Sequence, residues 1–578
     1  MSEDLETGVP LRRLQPIELI SSSRHHMGLY LCVVLSCRYT CTLSASASAS
    51  ASASASSSSS SSVKITPALL YPALERLVLA QPMLRVGILD DDTNEARFCH
   101  IPRVHLAQHV SFTTLPGVRG AGKDQDESKD EEKRERHYDE AIAAVHARHH
   151  NQPFEHVARR PAWRIEVVEP AAAPHVQDVV FAYHHALLDG TSGRMFHEQL
   201  LRELNAEVVQ MLGADADTPR RLTLMTPAPT PAPTLTPTPT LLLDFPPAPQ
   251  SLVHAAPLSS LFLLKTLWAE FAPALLRRNP FRPDPTPWLA APVNLALPCI
   301  TRTAPPLTVR PAPLARLLTA CRRHGTSLTG LLHALTLAAL TARLSASEAP
   351  CFSAATPIGL RPFLPRQPPP PPPPPQPCSS PPLHDLLSVL VTTHIYHFSP
   401  CQTALLRSHL AASSPETLTS AIWSLAHDQK AHLARRTRTL PKDDPTALLK
   451  YVRDWFAFFR KRDGRPRPES WELSNVGVFQ SPSPVATPAP ASPTSASAAP
   501  AFSVSRVYFT NGAMPVGPAL GLGVASAPAG GPLTIGLSWH EGGVPDALMA
   551  GLAEDLEAYM RCFDETGAFS SRWGEELA

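Results

Sequence analysis

Hydrophobic positions along the chain fall into compact blocks separated by stretches that carry almost none. Leu69, Leu70, Leu74 and Leu77 recur at helical spacing, which predicts a helix over Pro67 to Leu79. The same period predicts helices over His137 to His150 and over Gly193 to Val208, the latter with Met195, Leu200, Leu201 and Leu204 on one face. In the second half it predicts helices over Ala312 to His324, Ser327 to Ser345, Ala404 to Ala411 and Pro415 to Thr437. Thr326 or Ser327 would cap the second of these. A last helix over Asp546 to Phe563 carries Leu548, Leu552, Leu556 and Met560 on one stripe. Short β-rich runs predict strands at Gly28 to Tyr39, Leu84 to Leu89, Trp163 to Val168, Val176 to Tyr183 and Cys351 to Ile358. Further strands are expected at Trp471 to Phe479, Ser503 to Thr510, Leu520 to Ala527 and Leu533 to Trp539. Strands and helices interleave throughout, which is the mark of an α/β (α+β) chain.

Five polar stretches interrupt these blocks: Ser44 to Ser62 (Ser-Ala, then Ser), Lys123 to Arg136 (dense mixed charge), Thr226 to Gln250 (Thr-Pro-Ala), Pro368 to Pro375 (eight prolines) and Gln480 to Pro500 (Ser-Pro-Ala). Such compositions lack the apolar surface needed to offset ordering entropy, so they are expected as solvated loops or linkers. The chain of 578 residues is too long for one ordinary core. The expected division is a first lobe over 1–215 with inserts at 44–62 and 123–136, a linker over 216–250, and a second lobe over 251–578 with inserts at 366–382 and 480–502.

Composition narrows the function classes. The formal net charge is +1, and no basic stripe with interleaved aromatics occurs, so nucleic-acid binding has no support. The 65 prolines cluster in the inserts and say little about the core. Ten scattered cysteines without paired spacing read as free thiols in a reducing compartment, with no zinc site. Met1 to Gly8 is acidic and no apolar h-region follows, so a cytoplasmic protein is expected. Leu258 to Leu276 is mostly apolar but interrupted by Lys265 and Glu270, which suits a partly buried amphipathic helix better than a spanning one. A peripheral contact with endoplasmic reticulum or lipid droplets is the secondary expectation for it.

The strongest chemical signal is Tyr183-His184-His185-Ala186-Leu187-Leu188-Asp189-Gly190, at the end of a strand and before a helix. A histidine at a strand end can face a cleft, and its pKa near neutrality lets it accept and return a proton. A carboxylate four residues later can orient the ring or pair with a basic residue that braces the loop. Gly190 and Gly193 would let the chain bend before the helix. Adjacency alone is weak evidence, because His25-His26 and His149-His150 also occur among 24 histidines. The full string H-H-x-x-x-D-G occurs only at 184–190.

That string resembles the active-site signature of the chloramphenicol-acetyltransferase-like, condensation-domain superfamily, and the wider pattern resembles the fungal alcohol acetyltransferases within it. Leu14-Gln15-Pro16-Ile17-Glu18, Ser23-Arg24-His25-His26 and Pro82-Met83-Leu84-Arg85-Val86-Gly87-Ile88 are similar to the start of such enzymes. Asn151-Gln152-Pro153-Phe154 with Pro161-Ala162-Trp163-Arg164 is similar to the approach to their active-site strand. Pro357 to Pro362, Ser474-Asn475-Val476-Gly477-Val478-Phe479 and Leu537-Ser538-Trp539-His540-Glu541 extend the resemblance through the second half, from about residue 10 to about residue 565.

The resemblance implies two similar lobes, each with a mixed sheet, and an active-site tunnel between them. It implies His185 as general base and Asp189 as a loop-holding residue paired with an arginine, for which Arg24 and Arg361 are candidates. Gly190 matches the family turn, and His184 has no assigned role. Ser474 and Asn475 are candidates for oxyanion or structural contacts. The implied reaction is acetyl transfer from acetyl-CoA, a co-substrate and not a resident cofactor, to a small or medium alcohol. An amine, a sphingoid base or a secondary-metabolite hydroxyl is the alternative acceptor, and a non-enzymatic binding protein on the same scaffold is a further alternative. A monomer is expected. An Asp-Phe-Gly-Trp-Gly-like block, present in other branches of the superfamily, does not occur here, which leaves the CoA contacts unassigned. No G-x-S-x-G elbow or P-loop occurs, and Gly517, Gly521 and Gly523 have the wrong spacing for a dinucleotide turn.

Overall fold

In a computed structural model of the chain, the residues described are 8–42, 64–116, 127–171, 176–214, 234–235, 245, 248, 251, 253, 258–271, 286–365, 382–412, 414–481, 501–528 and 530–570. The expected inserts at 44–62 and 366–381 lie outside them, as does most of 216–250 and of 480–502.

The first half runs β1 (Val9–Arg13), α1 (Pro16–His26), β2 (Val33–Thr42), α2 (Pro67–Ala80), β3 (Val86–Leu89), β4 (Arg97–His100), β5 (Val104–His105) and β6 (Val110–Leu115). It continues with α3 (Glu127–His150), β7 (Trp163–Pro170), β8 (Val176–Tyr183), α4 (Gly190–Ala214) and β9 (Thr234–Leu235). The second half holds α5 (Ser260–Phe271), β10 (Thr301–Thr303), β11 (Leu307–Val309), α6 (Pro311–Arg323), α7 (Leu328–Arg343), β12 (Phe352–Gly359) and β13 (Val391–Phe398). Then come α8 (Pro400–Ala411), α9 (Pro415–Thr439), α10 (Trp455–Arg460), β14 (Trp471–Val478), β15 (Ala501–Asn511), β16 (Leu520–Ser526), β17 (Leu533–His540) and α11 (Asp546–Thr566).

Two mixed sheets organise two lobes. The first has the order β15-β2-β8-β7-β6, and the second β10-β17-β16-β14-β12-β13, with β11 also on β17. The expected α/β class and two-lobed arrangement are what the structure has. One strand crosses the boundary read from the sequence. β15 comes from the second half but pairs antiparallel with β2, from Ala501↔Thr42 to Asn511↔Val33. The reason is local: Phe502, Val504, Val507 and Phe509 complete the core of the first lobe, so this sheet gains an apolar strand that its own half lacks.

Within the first sheet β8 is central. Val179, Phe181 and Tyr183 face one core, while Val180 and Ala182 face another. A strand covered on both faces reads as a continuous apolar run, which is how 176–183 reads. α2 packs on α4, burying Leu69, Leu70, Leu74 and Leu77 against Leu200, Leu201 and Leu204. Each such leucine contributes about 1.5–3 kcal/mol of burial. Ser327 caps α7, its hydroxyl accepting from the Gly330 amide.

Several expectations are corrected. The mixed-charge block 123–136 is not a loop where described: Glu127–Arg136 is the first part of α3. Its Glu, Lys and Arg residues are good helix formers, and the buried Ile142 and Val145 anchor the continuing helix. Within the linker, Thr234–Leu235 pairs with β5, with Leu235 buried. Ala501 and Phe502 belong to β15 instead of an insert. The strand expected from Gly28 begins only at Val33, because Gly28 adopts φ +67° and starts a turn. α5 is helical as expected but not partly buried on its apolar side: Leu261, Leu264, Leu267 and Trp268 are 54–64% exposed, because no apolar surface meets them among the described residues. No single helix among the described residues is long and apolar enough to cross a membrane.

Candidate active site

β8 ends at Tyr183 and delivers His184 and His185 to the junction of the lobes. The His184 amide donates to the Ala162 carbonyl, which keeps the strand register one residue further, and the Leu187 amide donates to the His184 carbonyl to close a turn. The His184 ring turns inward. Its Nδ1 accepts from the Ala186 amide at 2.9 Å, and it packs on His25 with ring centroids 4.5 Å apart. Burial, then the neighbouring His25 and His185, push its pKa well down. His184 therefore sits in the wall as a neutral ring.

His185 has the opposite environment. Its Nδ1 lies 3.0 Å from the Leu188 carbonyl. A carbonyl can only accept, so Nδ1 carries the proton and the Nε2 lone pair is left free. Burial is the largest cause, and Arg24 the second, of a pKa pushed down to about 4; the Asp189 charge acts against them. The ring is only half-buried although enough protein surrounds it to desolvate it strongly. Arg24 and Glu472 show the same combination. All three side chains thus lie deep in protein while keeping some open surface.

Asp189 is the N-cap of α4. Its Oδ1 accepts from the Ser192 amide at 2.7 Å, placing a carboxylate at the positive end of the helix. Arg361 donates to both of its oxygens, at 2.8 and 3.1 Å, and the Leu390 amide donates to Oδ2 at 2.9 Å. Ser192 Oγ and the Ser388 carbonyl complete the knot. Burial alone would raise the Asp189 pKa; Arg361 and the two amides overcome it and hold the carboxyl below its usual range. Arg361, Ser388 and Leu390 come from the second half, so the pair ties α4 of one lobe to the other. Of the two candidate arginines, Arg361 makes this pair and Arg24 does not.

The glycines act otherwise than expected. Gly190 begins α4, and a Cβ there would lie 2.9 Å from Val476 and 3.1 Å from Phe509. At Gly193 a Cβ would lie 2.3 Å from the Tyr183 hydroxyl. Both permit close approach of neighbours to a helix, and neither makes a bend.

Opposite the histidine loop stands β14. Trp471 and Leu473 face the core of the second lobe, so Glu472, Ser474 and Val476 face the first. Val476 packs into the core of the first lobe. Ser474, between Glu472 and Val476, is on the face turned toward the first lobe and has no hydrogen bond among the described residues. Asn475 points the other way. It is exposed, donates to Thr329 Oγ1 at 3.2 Å and accepts from the Gly477 amide at 2.9 Å at a β-bulge. Its polar groups are engaged structurally.

Reasoning from the sequence missed three residues here. Tyr30 lies beside His185, their tilted rings 5.8 Å apart between centroids, and carries the Arg24 guanidinium 5.0 Å above its ring. Glu472 was legible as a charge between two apolar strand residues. Asn511 holds Glu472 Oε1 at 2.8 Å and had no signal of its own. The two other histidine pairs also converge on this region. His25 packs on His184, while His150 and His146 flank Thr510 at 2.8 Å on the far side of the sheet. A groove of about 1320 Å³ lies elsewhere, between Trp288, Arg343 and the start of α11, and no residue of the 184–190 motif lines it. Among the described residues no His, Cys, Asp and Glu cluster could hold a metal.

The two-lobed mixed-sheet fold thus holds a neutral histidine on a braced loop between the lobes. Residues 126–215 match the family model described as alcohol acetyltransferase, and this stretch spans the whole 184–190 motif. The chain is 26% identical over 494 residues to "Probable alcohol acetyltransferase FCK4" of Fusarium pseudograminearum, covering 84% of each. It is 24% identical over 552 residues to "Probable alcohol acetyltransferase crmB" of Aspergillus fumigatus, covering 94% of this chain and 98% of that one. Among solved structures, the fold is similar to that of TRI3 trichothecene 15-O-acetyltransferase from Fusarium sporotrichioides, with a TM-score of 0.57 at 12% identity over 96% of this chain and 99% of that one. The chain is an acyltransferase, similar to alcohol acetyltransferases over most of its length.

Proposed function

We propose that the protein transfers an acetyl group from acetyl-CoA to the hydroxyl of an alcohol, with His185 as general base. The observation that carries this reading is the Nδ1–H to Leu188 carbonyl bond, which leaves Nε2 as an unprotonated base. In the reaction, Nε2 takes the proton from the acceptor hydroxyl as its oxygen attacks the thioester carbonyl. The tetrahedral intermediate then collapses, the C–S bond breaks, and the imidazolium returns the proton to the CoA thiolate. No acyl-enzyme forms. Ser474 is the side-chain donor best placed to hold the oxyanion, since it is on the face turned toward the first lobe with a free hydroxyl. Asp189 and Arg361 act by fixing the loop. Purified protein with labelled acetyl-CoA and a panel of alcohols is expected to give labelled ester and free CoA. Full transfer by His185→Ala would overturn the assignment of the base, and transfer to amines in preference to alcohols would overturn the acceptor class.

A further inference from the structure

α5 presents its apolar residues outward, the reverse of an ordinary surface helix. Leu261, Leu264, Leu267 and Trp268 recur at helical spacing and form one stripe, and all four are more than half exposed. Phe262, Leu263 and Thr266, on the other side, are only partly exposed. Lys265 is exposed at the edge of the stripe. A lone exposed leucine is ordinary, but three leucines and a tryptophan in one stripe make a patch of the kind that marks a binding surface. The foot of the helix is pinned. Asp443 accepts from the Ser259 amide at 2.6 Å and from its hydroxyl at 2.9 Å, and that hydroxyl accepts from the Phe262 amide at 3.3 Å to cap the first turn. The start of α5 therefore sits beside the chain that leaves α9, which is strongly basic. Between Asp428 and Asp443 stand Lys430, Arg435, Arg436, Arg438 and Lys442, and no acid. Arg436 pairs with Asp444, whereas Arg435, Arg438 and Lys442 are exposed and form no ion pair among the described residues.

We propose that α5 and the end of α9 dock the protein on an anionic phospholipid surface. The stripe enters the boundary between headgroups and acyl chains, with Trp268 and Lys265 at headgroup level and Arg438 and Lys442 meeting the phosphates. The helix lies in the surface and does not span it: its 12 residues are about 18 Å long, against a hydrocarbon core of about 30 Å. Charge selects this occupant over a second copy of the chain. Two copies meeting stripe to stripe would bring the same unpaired cations together, whereas anionic headgroups neutralise them. Docking uses no group of the 184–190 motif, so it stands apart from the acetyl-transfer reading.

The test mixes the full chain with phosphatidylcholine vesicles, with or without phosphatidylserine, and measures bound protein by flotation. The wild type is expected to bind the phosphatidylserine vesicles about tenfold more tightly than the neutral ones or better, with added salt narrowing the difference. Leu264→Glu/Leu267→Glu should weaken binding to the anionic vesicles about a hundredfold, because two leucines no longer leave water. Arg438→Glu/Lys442→Glu should erase the preference for phosphatidylserine. Melting temperature should hold in both variants, since all four side chains are exposed. A wild-type protein that ignores the anionic vesicles, or binding that survives the leucine substitutions, overturns the proposal. Equal binding to both kinds of vesicle overturns it as well, because charge then plays no part. A melting temperature lowered by the leucine substitutions overturns it by showing that the chain itself covers the stripe. A dimer in light scattering that those substitutions dissolve overturns it in favour of a second copy.

Discussion

Two buried arginine–carboxylate arrangements flank the same histidine, and they are built in opposite ways. At Asp189 and Arg361 the carboxylate accepts four hydrogen bonds and the guanidinium spans both of its oxygens. At Glu472 and Arg24 no ion pair forms and one carboxylate oxygen is unused, while the Nε of Arg24, like that of Arg361, has no partner. The first is closed on itself and can only hold the lobes and the loop. The bonding of the carboxylate separates the two arrangements, although from sequence both are an Arg and an acid far apart in the chain.

The largest effects should come from breaking the closed pair. Arg361→Ala leaves Asp189 buried and uncompensated, which is expected to cost about 3–5 kcal/mol of stability. Asp189→Ala should cost as much again as the lost N-cap, about 1 kcal/mol, on top of the lost pair. Equilibrium urea unfolding measures both, and a cost under 1 kcal/mol for Arg361→Ala would refute the clasp. Next, His185→Gln keeps ring-sized bulk and should leave stability nearly unchanged while kcat falls about 10²–10⁴-fold. Comparable losses of stability and activity would mean that the histidine is structural. Ser474→Ala should lower kcat by about 10²-fold or more with little effect on KM, if its hydroxyl holds the oxyanion. A change in KM alone would reassign it to substrate binding.

The smallest effects concern pH. His185 is held at about 4 first by burial and then by Arg24, so kcat/KM should stay level from neutrality down to about pH 5 and fall only below that. Arg24→Gln should move this acid limb upward, though it should remain below 6.5 because burial is the larger cause. An unmoved limb would show that Arg24 does not face the base. Stability should follow a related course. His25, His185 and His197 are held down to about 4 in the folded chain, and His150 to about 3. The unfolded chain therefore binds more protons once the pH drops below about 6.5. Melting temperature should be flat above that value and fall steadily from there toward pH 4, and a melting temperature that rose on acidification would refute these neutral histidines.

Much of this was legible in the residues themselves. The run 176–183 announced a buried strand because both of its faces are covered, and the strand's exact bounds followed. The leucine periods of α2 and α4 identified two helices whose apolar faces meet. The helix expected from Gly193 begins three residues earlier, at Gly190, because Asp189 caps the amides that the first turn leaves free. Other features were read too simply. The charge block before α3 looked like a solvated loop because hydropathy ignores helix propensity and the anchoring of a downstream face. Gly190 looked like a hinge, but its missing side chain is required by Val476, which lies 286 residues away in sequence.

By itself the sequence determined the local periods, the position of the histidine pair at a strand end, and the resemblance that these carry. Only the tertiary structure decided which arginine meets Asp189, that β15 completes the sheet of the other lobe, and that Tyr30 lies beside His185. The reason is physical. Helix and strand periods arise from neighbours within a turn or two of the chain. Partnership between side chains hundreds of residues apart depends on how two sheets are set against each other, and on which buried donors and acceptors that packing leaves unfilled.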